Sequence, residues 1–232
     1  MASYYIGLSI LSNNRLKRAE HAKLLSAEGL RILSLLEGRA VNAGDIAREE
    51  NGRPFFPDRH SDFNISHSGN MAAVSLVTGA GCLRTGCDIQ LVKPRAQAGK
   101  IAKGFFSEAE RDYIFSRDSG GDDEAKFFHI WALKECYIKL RGFSVFFMNH
   151  CPSFISGEGR ERFAFGAPVT APISFSIYEL ASPDGRYILA AAIEGAKEAA
   201  PEIRWFSQPL RDKSIAEIKA VPSPAETVRA KI

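Results

Sequence analysis

Read for periodicity, the chain alternates between apolar runs of strand length and longer stretches spaced for helix. Tyr4 to Ile10 predicts an opening strand. Arg18 to Leu36 predicts a helix carrying Leu24, Leu25, Ile32, Leu35 and Leu36, with a stop at Gly38. Asn51-Gly52-Arg53-Pro54 is a turn. Phe63 to Ser66 is short and extended, and after His67-Ser68-Gly69 the run Met71 to Val77 predicts a buried strand, so the two form a hairpin. Gly86 to Leu91 is another strand. A basic loop follows, then Ser107-Glu108-Ala109-Glu110, whose Ser-x-x-Glu spacing is a capping box for a helix toward Phe115. Asp118 to Asp123 reads as an exposed acidic loop, and a long helix runs from about Glu124 to a stop at Gly142.

Beyond that helix, Phe175 to Leu180, the turn Pro183-Asp184-Gly185 and Tyr187 to Ile193 form a second strand-turn-strand unit. Phe175 and Ile177 repeat Phe63 and Ile65 at one common offset, and Gly185 echoes Gly69. The repeat suggests two similar halves, although any two hairpins could produce it by coincidence. Ile203 to Phe206 is strand-like, and the last ten or so residues are expected to be mobile.

The long helix breaks its own pattern. At about 100° per residue with Phe127 at zero, Ile138 falls near 20°, Trp131 near 40° and Phe128 near 100°, with Ile130, Tyr137 and Leu133 between about 300° and 240°. Glu135 lands near 80°, between Trp131 and Phe128, where an unpaired charge costs several kcal/mol. Its partner is either Lys139, one turn on, or a metal ion.

In Gly86-Cys87-Asp88-Ile89-Gln90-Leu91, period-two alternation sends Asp88 and Gln90 to the face opposite Cys87, Ile89 and Leu91, roughly 7 Å apart. Joined by Glu135, they would make an all-oxygen set suited to magnesium, which keeps several waters and binds substrate phosphates. On its own the strand equally describes a solvated face. A third candidate is Asn64-Ile65-Ser66-His67-Ser68-Gly69, with Arg53 upstream. Hydroxyl and imidazole donors beside a glycine turn can hold a phosphate, and Arg53 adds a fixed charge. A capped turn with an exposed histidine fits the same residues. A Ser-His hydrolase is disfavoured, because adjacent residues of an extended segment face opposite sides and no G-x-S-x-G elbow occurs.

Length and composition narrow the setting. The 232 residues allow one sizeable domain or two small halves. With 45% hydrophobic and 25% charged residues, disordered, collagenous and coiled-coil chains are excluded. Thirty Lys plus Arg against 27 Asp plus Glu give +3, too slight an excess for a nucleic-acid footprint. Cys82, Cys87, Cys136 and Cys151 form no C-x-x-C pair, and reduced cytosolic thiols are expected. Met1 to Ile10 lacks a basic n-region, Arg15, Lys17 and Arg18 follow it, and no run of about 18 apolar residues occurs. The expectation is a soluble, cytoplasmic monomer with neither a membrane nor a nucleic-acid partner.

Taken in order, Gly52-Arg53-Pro54, Phe63-Asn64-Ile65-Ser66-His67-Ser68-Gly69, Gly86-Cys87-Asp88-Ile89-Gln90, Phe105-Phe106-Ser107-x-x-Glu110 and Trp131-Ala132-Leu133-Lys134-Glu135-Cys136-Tyr137-Ile138-Lys139 resemble the larger 4′-phosphopantetheinyl transferases of the surfactin (Sfp) type. The resemblance implies an α+β fold of two similar halves related by a pseudo-twofold axis, divided here as 1–85 and 86–232. It implies transfer of 4′-phosphopantetheine from coenzyme A to a serine of an acyl or peptidyl carrier protein, releasing adenosine 3′,5′-bisphosphate. By position, Asp88, Gln90 and Glu135 would bind magnesium with the pyrophosphate, the Arg53 turn would border the adenine, and Ser66 and His67 would hold coenzyme phosphate. Glu135, directly or through a bound water, would take the serine proton. Lys139 would neutralise or protonate the pyrophosphate oxygen that gains charge.

Two departures stand out. The family often has glutamate where this chain has Gln90; either the Gln90 carbonyl binds the metal or a water replaces it, and the expectation is weaker magnesium binding with activity retained. Its basic residues for the 3′-phosphate have no secure counterpart among Arg15, Lys17, Arg18 and Lys23. Lys93, Arg95, Lys100 and Lys103 cluster ahead of Phe105 and Phe106, and a basic loop with an apolar edge suits an acidic carrier protein. A coenzyme A binding regulator without transferase activity is the alternative, and the presence of Asp88, Glu135 and Lys139 argues against it. A nucleotide phosphotransferase should carry G-x-x-x-x-G-K-[ST], which does not occur.

Overall fold

The computed structural model describes residues 3–11, 17–79, 83–115, 122–155, 173–195, 201–206 and the backbone of 217–220. Cys82, Arg15, most of the acidic stretch from Asp118 and the last ten residues lie outside these.

Strand β1 (Ser3–Ile10) leads into α1 (Arg18–Glu37), which ends where Gly38 turns left-handed at φ 70°. Two short strands, β2 (Ala47–Arg48) and β3 (Pro54–Phe55), flank the predicted turn at Asn51–Gly52. The hairpin of β4 (Ser61–Ser68) and β5 (Met71–Thr78) follows, then β6 (Arg84–Leu91). Helices α2 (Ala98–Phe105) and α3 (Glu108–Phe115) precede α4 (Asp123–Arg141). A second hairpin, β7 (Ile173–Ser182) with β8 (Gly185–Glu194), is followed by β9 (Glu202–Trp205) and β10 (Glu217–Ala220).

The strands form two four-stranded sheets, ordered β4-β5-β1-β9 and β10-β7-β8-β6. The topology repeats. In β1-α1-β4-β5 the last strand pairs antiparallel with the first, and β6-α4-β7-β8 does the same. The chain then returns, β9 joining β1 in parallel and β10 joining β7.

Alternation along the strands builds four layers. Tyr4, Ile6 and Leu8 of β1 pack with Met71 and Ala73 of β5 in a buried cluster that also takes Cys87 and Ile89 of β6 and Tyr187, Leu189 and Ala191 of β8. The opposite faces cover the helices. Ala72, Val74 and Leu76 pack with Leu25, Ile32 and Leu33 of α1, and Ile188, Ala190 and Ala192 with α4. On this helix side, Phe63 and Ile65 of β4 meet the α1 layer, as Phe175 and Ile177 of β7 meet the α4 layer. Gly86 permits the close approach of α4 to β6, since a Cβ there would stand 2.6 Å from the Cys136 carbonyl.

The two sheets meet through side chains. β6 is an edge strand whose outward N–H groups need partners. Asp62, Asn64, Ser66 and Ser68 on β4 accept from the N–H groups of Thr85, Cys87, Ile89 and Leu91 at 2.8, 3.3, 3.2 and 3.0 Å. Every second residue on one strand thus satisfies every second N–H on the other.

One element differs from the sequence reading. The basic stretch before Ser107 is not a loop but contains α2. Ala98, Ile101, Ala102 and Phe105 fall on one helical face against the α4 core, a spacing that Gly99 and Gly104 obscured. Ser107 does form the predicted capping box, its N–H donating to Glu110 Oε2 at 2.8 Å. No helix among the described residues is long and apolar enough to cross a membrane.

Candidate active site

The β4–β6 seam and α4 enclose a cleft of about 380 Å³. β4 contributes Ile65, Ser66 and His67, and β6 contributes Asp88 and Gln90. From α4 come Trp131, Glu135 and Lys139, spaced one turn apart so that all three face the opening, and Arg95 enters from the segment before α2.

Asp88 is 2% exposed and every oxygen is engaged. Lys139 Nζ lies 2.5 Å from Asp88 Oδ1, the Ser66 hydroxyl donates to the same oxygen at 2.8 Å, and Gln90 Nε2 donates to Oδ2 at 2.7 Å. Ser66 Oγ also accepts from Lys139 at 2.9 Å and from the Ile89 N–H at 3.2 Å. Its one donor and two acceptor positions are therefore spent inside the protein. Burial works against the Lys139 ammonium, but Asp88, by charge and hydrogen bond, outweighs it with help from Glu135, and the pKa stands above its ordinary value.

Glu135 behaves oppositely. Burial and the nearby Asp88 carboxylate push its carboxyl up to about 7, against weaker pulls from Lys139 and Arg95. Two carboxylates and the Gln90 amide, whose oxygen is left over when its nitrogen donates to Asp88, make a hard-oxygen set. Among the described residues no three His, Cys, Asp or Glu side chains cluster as a metal site. The set nonetheless suits magnesium, which is held by one or two carboxylates and completes its shell with water and substrate phosphate. The raised Glu135 is the mark of a charge that such a cation would balance.

His67 is exposed at the cleft edge. Burial of its ring atoms, then the charges of Lys139 and His21, lower its pKa, so the imidazole is neutral near pH 7. His21, on α1, has an Nε2 that is buried and without a hydrogen-bond partner among the described residues. A lone histidine among the cations Arg15, Lys17, Arg18 and Lys23 carries no signal of its own in the sequence. Lys17 caps α1, and Arg18 and Lys23 are exposed on it.

Two expectations change. Arg53, expected at the coenzyme, is 4% exposed. It grips Asp62 with both terminal nitrogens at 2.9 and 2.5 Å and donates to the carbonyls of Lys139, Thr85 and Pro54. Its guanidinium is consumed in fastening the 51–54 turn to β6 and the end of α4. Phe106, expected on a docking edge, is 4% exposed and packs on Phe127 at 5.3 Å between ring centroids. Phe105 is half-buried against the same core. Lys134, beside the candidate site and given no role by the sequence motif that contains it, is 1% exposed and pairs with the fully buried Glu110 at 3.1 Å. Its position about 20° from Phe127 on the helical wheel was the signal.

The model of the 4′-phosphopantetheinyl transferase superfamily matches residues 84–192, which hold Asp88, Gln90, Glu135 and Lys139. The chain is 35% identical over 99 residues to the 4′-phosphopantetheinyl transferase Sfp of Bacillus subtilis (strain 168), covering 42% of this chain and 41% of that one. It is 27% identical over 146 residues to a putative 4′-phosphopantetheinyl transferase of Haemophilus influenzae, covering 62% and 58%. The chain thus spans about half the length of these two relatives. To the 4′-phosphopantetheinyl transferase AcpT of Salmonella typhimurium it is 31% identical over 181 residues, 73% of this chain and 91% of that one. With a family model matched across the site-bearing segment and nearly the whole of one relative aligned, this chain belongs to the 4′-phosphopantetheinyl transferase superfamily.

Proposed function

We propose that the protein transfers 4′-phosphopantetheine from coenzyme A to a serine hydroxyl of an apo acyl or peptidyl carrier protein and releases adenosine 3′,5′-bisphosphate. The observation that carries this reading is the placement of Glu135 and Lys139 one turn apart on α4, facing Asp88 across one cleft. A base, a cation and an oxygen-donor set are what phosphoryl transfer requires, since positioning and charge neutralisation supply most of the catalysis. In this reading the serine Oγ attacks the β-phosphorus, and the bond from that phosphorus to the bridging oxygen breaks. Glu135 takes the serine proton, as a carboxylate facing the cleft beside the departing group can. Lys139 holds the departing oxygen's charge. Asp88, Glu135 and Gln90 would hold magnesium, which when bound supplies charge neutralisation to the pyrophosphate. His67, as a neutral donor, and Ser66, through its hold on Asp88 and Lys139, would border the coenzyme phosphates.

The same reading divides the chain into halves at 1–85 and 86–232 related by a pseudo-twofold axis. The repeated strand-helix-hairpin topology supports it. Lys100 and Lys103, exposed on α2, together with Lys93, would receive an acidic carrier, and this surface stands close to the cleft because Arg95 links the two. The test is release of adenosine 3′,5′-bisphosphate from coenzyme A on adding magnesium and an apo-carrier. A regulator that only binds coenzyme A would show saturable binding and no release.

A further inference from the structure

Arg95 reads in the sequence as one of four cations on a docking surface, but of the four it alone lines the cleft with Glu135 and Lys139. Its guanidinium lies 4.8 Å from the Trp131 ring centroid and 5.8 Å from that of Phe127, and it lines the cleft with Glu135 and Lys139. No carboxylate pairs with it among the described residues. Stacking on Trp131 leaves the guanidinium edge, with its N–H donors, free to accept a ligand, because the aromatic face occupies only the flat side.

The helix fixes what that ligand must look like. Trp131, Glu135 and Lys139 are successive turns of one face, so the Arg95 stacking platform and Lys139 are separated by eight residues, or about 12 Å of helix rise. Glu135 lies midway. Two cations of different kinds thus straddle the carboxylate, one held by Asp88 and the other by an indole. Both side chains are long enough to lean inward toward Glu135 from either end, so a group with two linked anionic centres can be reached by hydrogen bonds from both; a single carboxylate of a partner protein would reach only one of them.

We infer that Arg95 is a binding residue for the diphosphate of the coenzyme, gripping the end opposite Lys139, and that Trp131 is its positioning residue. The inference rests on the proposed transferase reading and adds to it a specificity-determining contact. It also takes Arg95 out of the carrier-docking set.

The test uses the full chain. Calorimetric titration of coenzyme A with magnesium is compared among wild type, Arg95→Ala, Arg95→Lys and Trp131→Ala, alongside steady-state KM values for coenzyme A and for carrier. Arg95→Ala is expected to weaken coenzyme A binding about tenfold, the usual scale for one lost charge-assisted contact, with the carrier KM unchanged. Arg95→Lys should recover only part of this, since a lysine cannot stack as a plane. Trp131→Ala combined with Arg95→Ala should lose little more than Arg95→Ala alone, as residues acting in one contact do. Unchanged coenzyme A affinity in Arg95→Ala, a raised KM for carrier alone, or additive losses in the double variant would each overturn the inference. If wild type binds coenzyme A but modifies no carrier, the transferase reading fails while the calorimetry still judges Arg95.

Discussion

Glu135→Gln offers a thermodynamic test that needs no substrate. The carboxyl stands at about 7 in the folded protein against an ordinary 4.5, because burial and Asp88 both oppose its ionisation. A group that binds its proton more tightly when folded contributes no penalty below the unfolded value. The penalty grows as pH rises from about 4.5 and is complete above about 7. The gap corresponds to roughly 3 kcal/mol at full burial, and the partial exposure of Glu135 in the cleft brings the expectation to about 1 to 3 kcal/mol. Urea unfolding of wild type and Glu135→Gln, without divalent cations, should therefore show the variant more stable by that amount at pH 8 and by less than about 1 kcal/mol at pH 5. His60, His67 and His129 titrate in both proteins and cancel in the difference. An equal change at the two pH values, or a less stable variant at pH 8, would refute the claim that burial and Asp88 together oppose ionisation of Glu135.

Other substitutions probe the neighbours. Gln90→Glu should raise magnesium affinity by adding a charge to the donor set, and an unchanged magnesium dependence of rate would count against Gln90 as a ligand. Ser66→Ala should cost about 1 to 3 kcal/mol in urea unfolding, since it strands the Ile89 N–H and loosens Asp88 and Lys139 together; a smaller loss would mean that the seam is held elsewhere. Lys100→Glu with Lys103→Glu should raise the KM for carrier more than that for coenzyme A, whereas equal effects would remove α2 from the docking surface.

Much of the architecture was legible because it rests on local periodicity. The hairpins, the Gly38 and Gly142 stops and the Ser107 capping box all depend on residues within a few positions of one another. The alternation that put Asp88 and Gln90 opposite Cys87 and Ile89 needed nothing but the pleat. What escaped depends on tertiary pairing. Arg53 looks like an anion ligand until Asp62 is seen to claim its guanidinium across the seam. Lys134 falls in the apolar arc of α4, but the carboxylate that lets a charge stand there, Glu110, arrives from α3, where the sequence shows it only as a capping residue. The ladder of Asp62, Asn64, Ser66 and Ser68 is visible as alternating polar residues, but the edge it satisfies belongs to a strand in the other sheet.

The central claim is that this cleft moves phosphopantetheine. Incubation with coenzyme A, magnesium and a panel of apo-carriers, followed by intact mass spectrometry, reads it directly. The account predicts that at least one carrier gains the mass of a single phosphopantetheine group on its serine, and that Lys139→Ala removes the gain while coenzyme A still binds. No increment on any carrier, or an undiminished increment with Lys139→Ala, would contradict it.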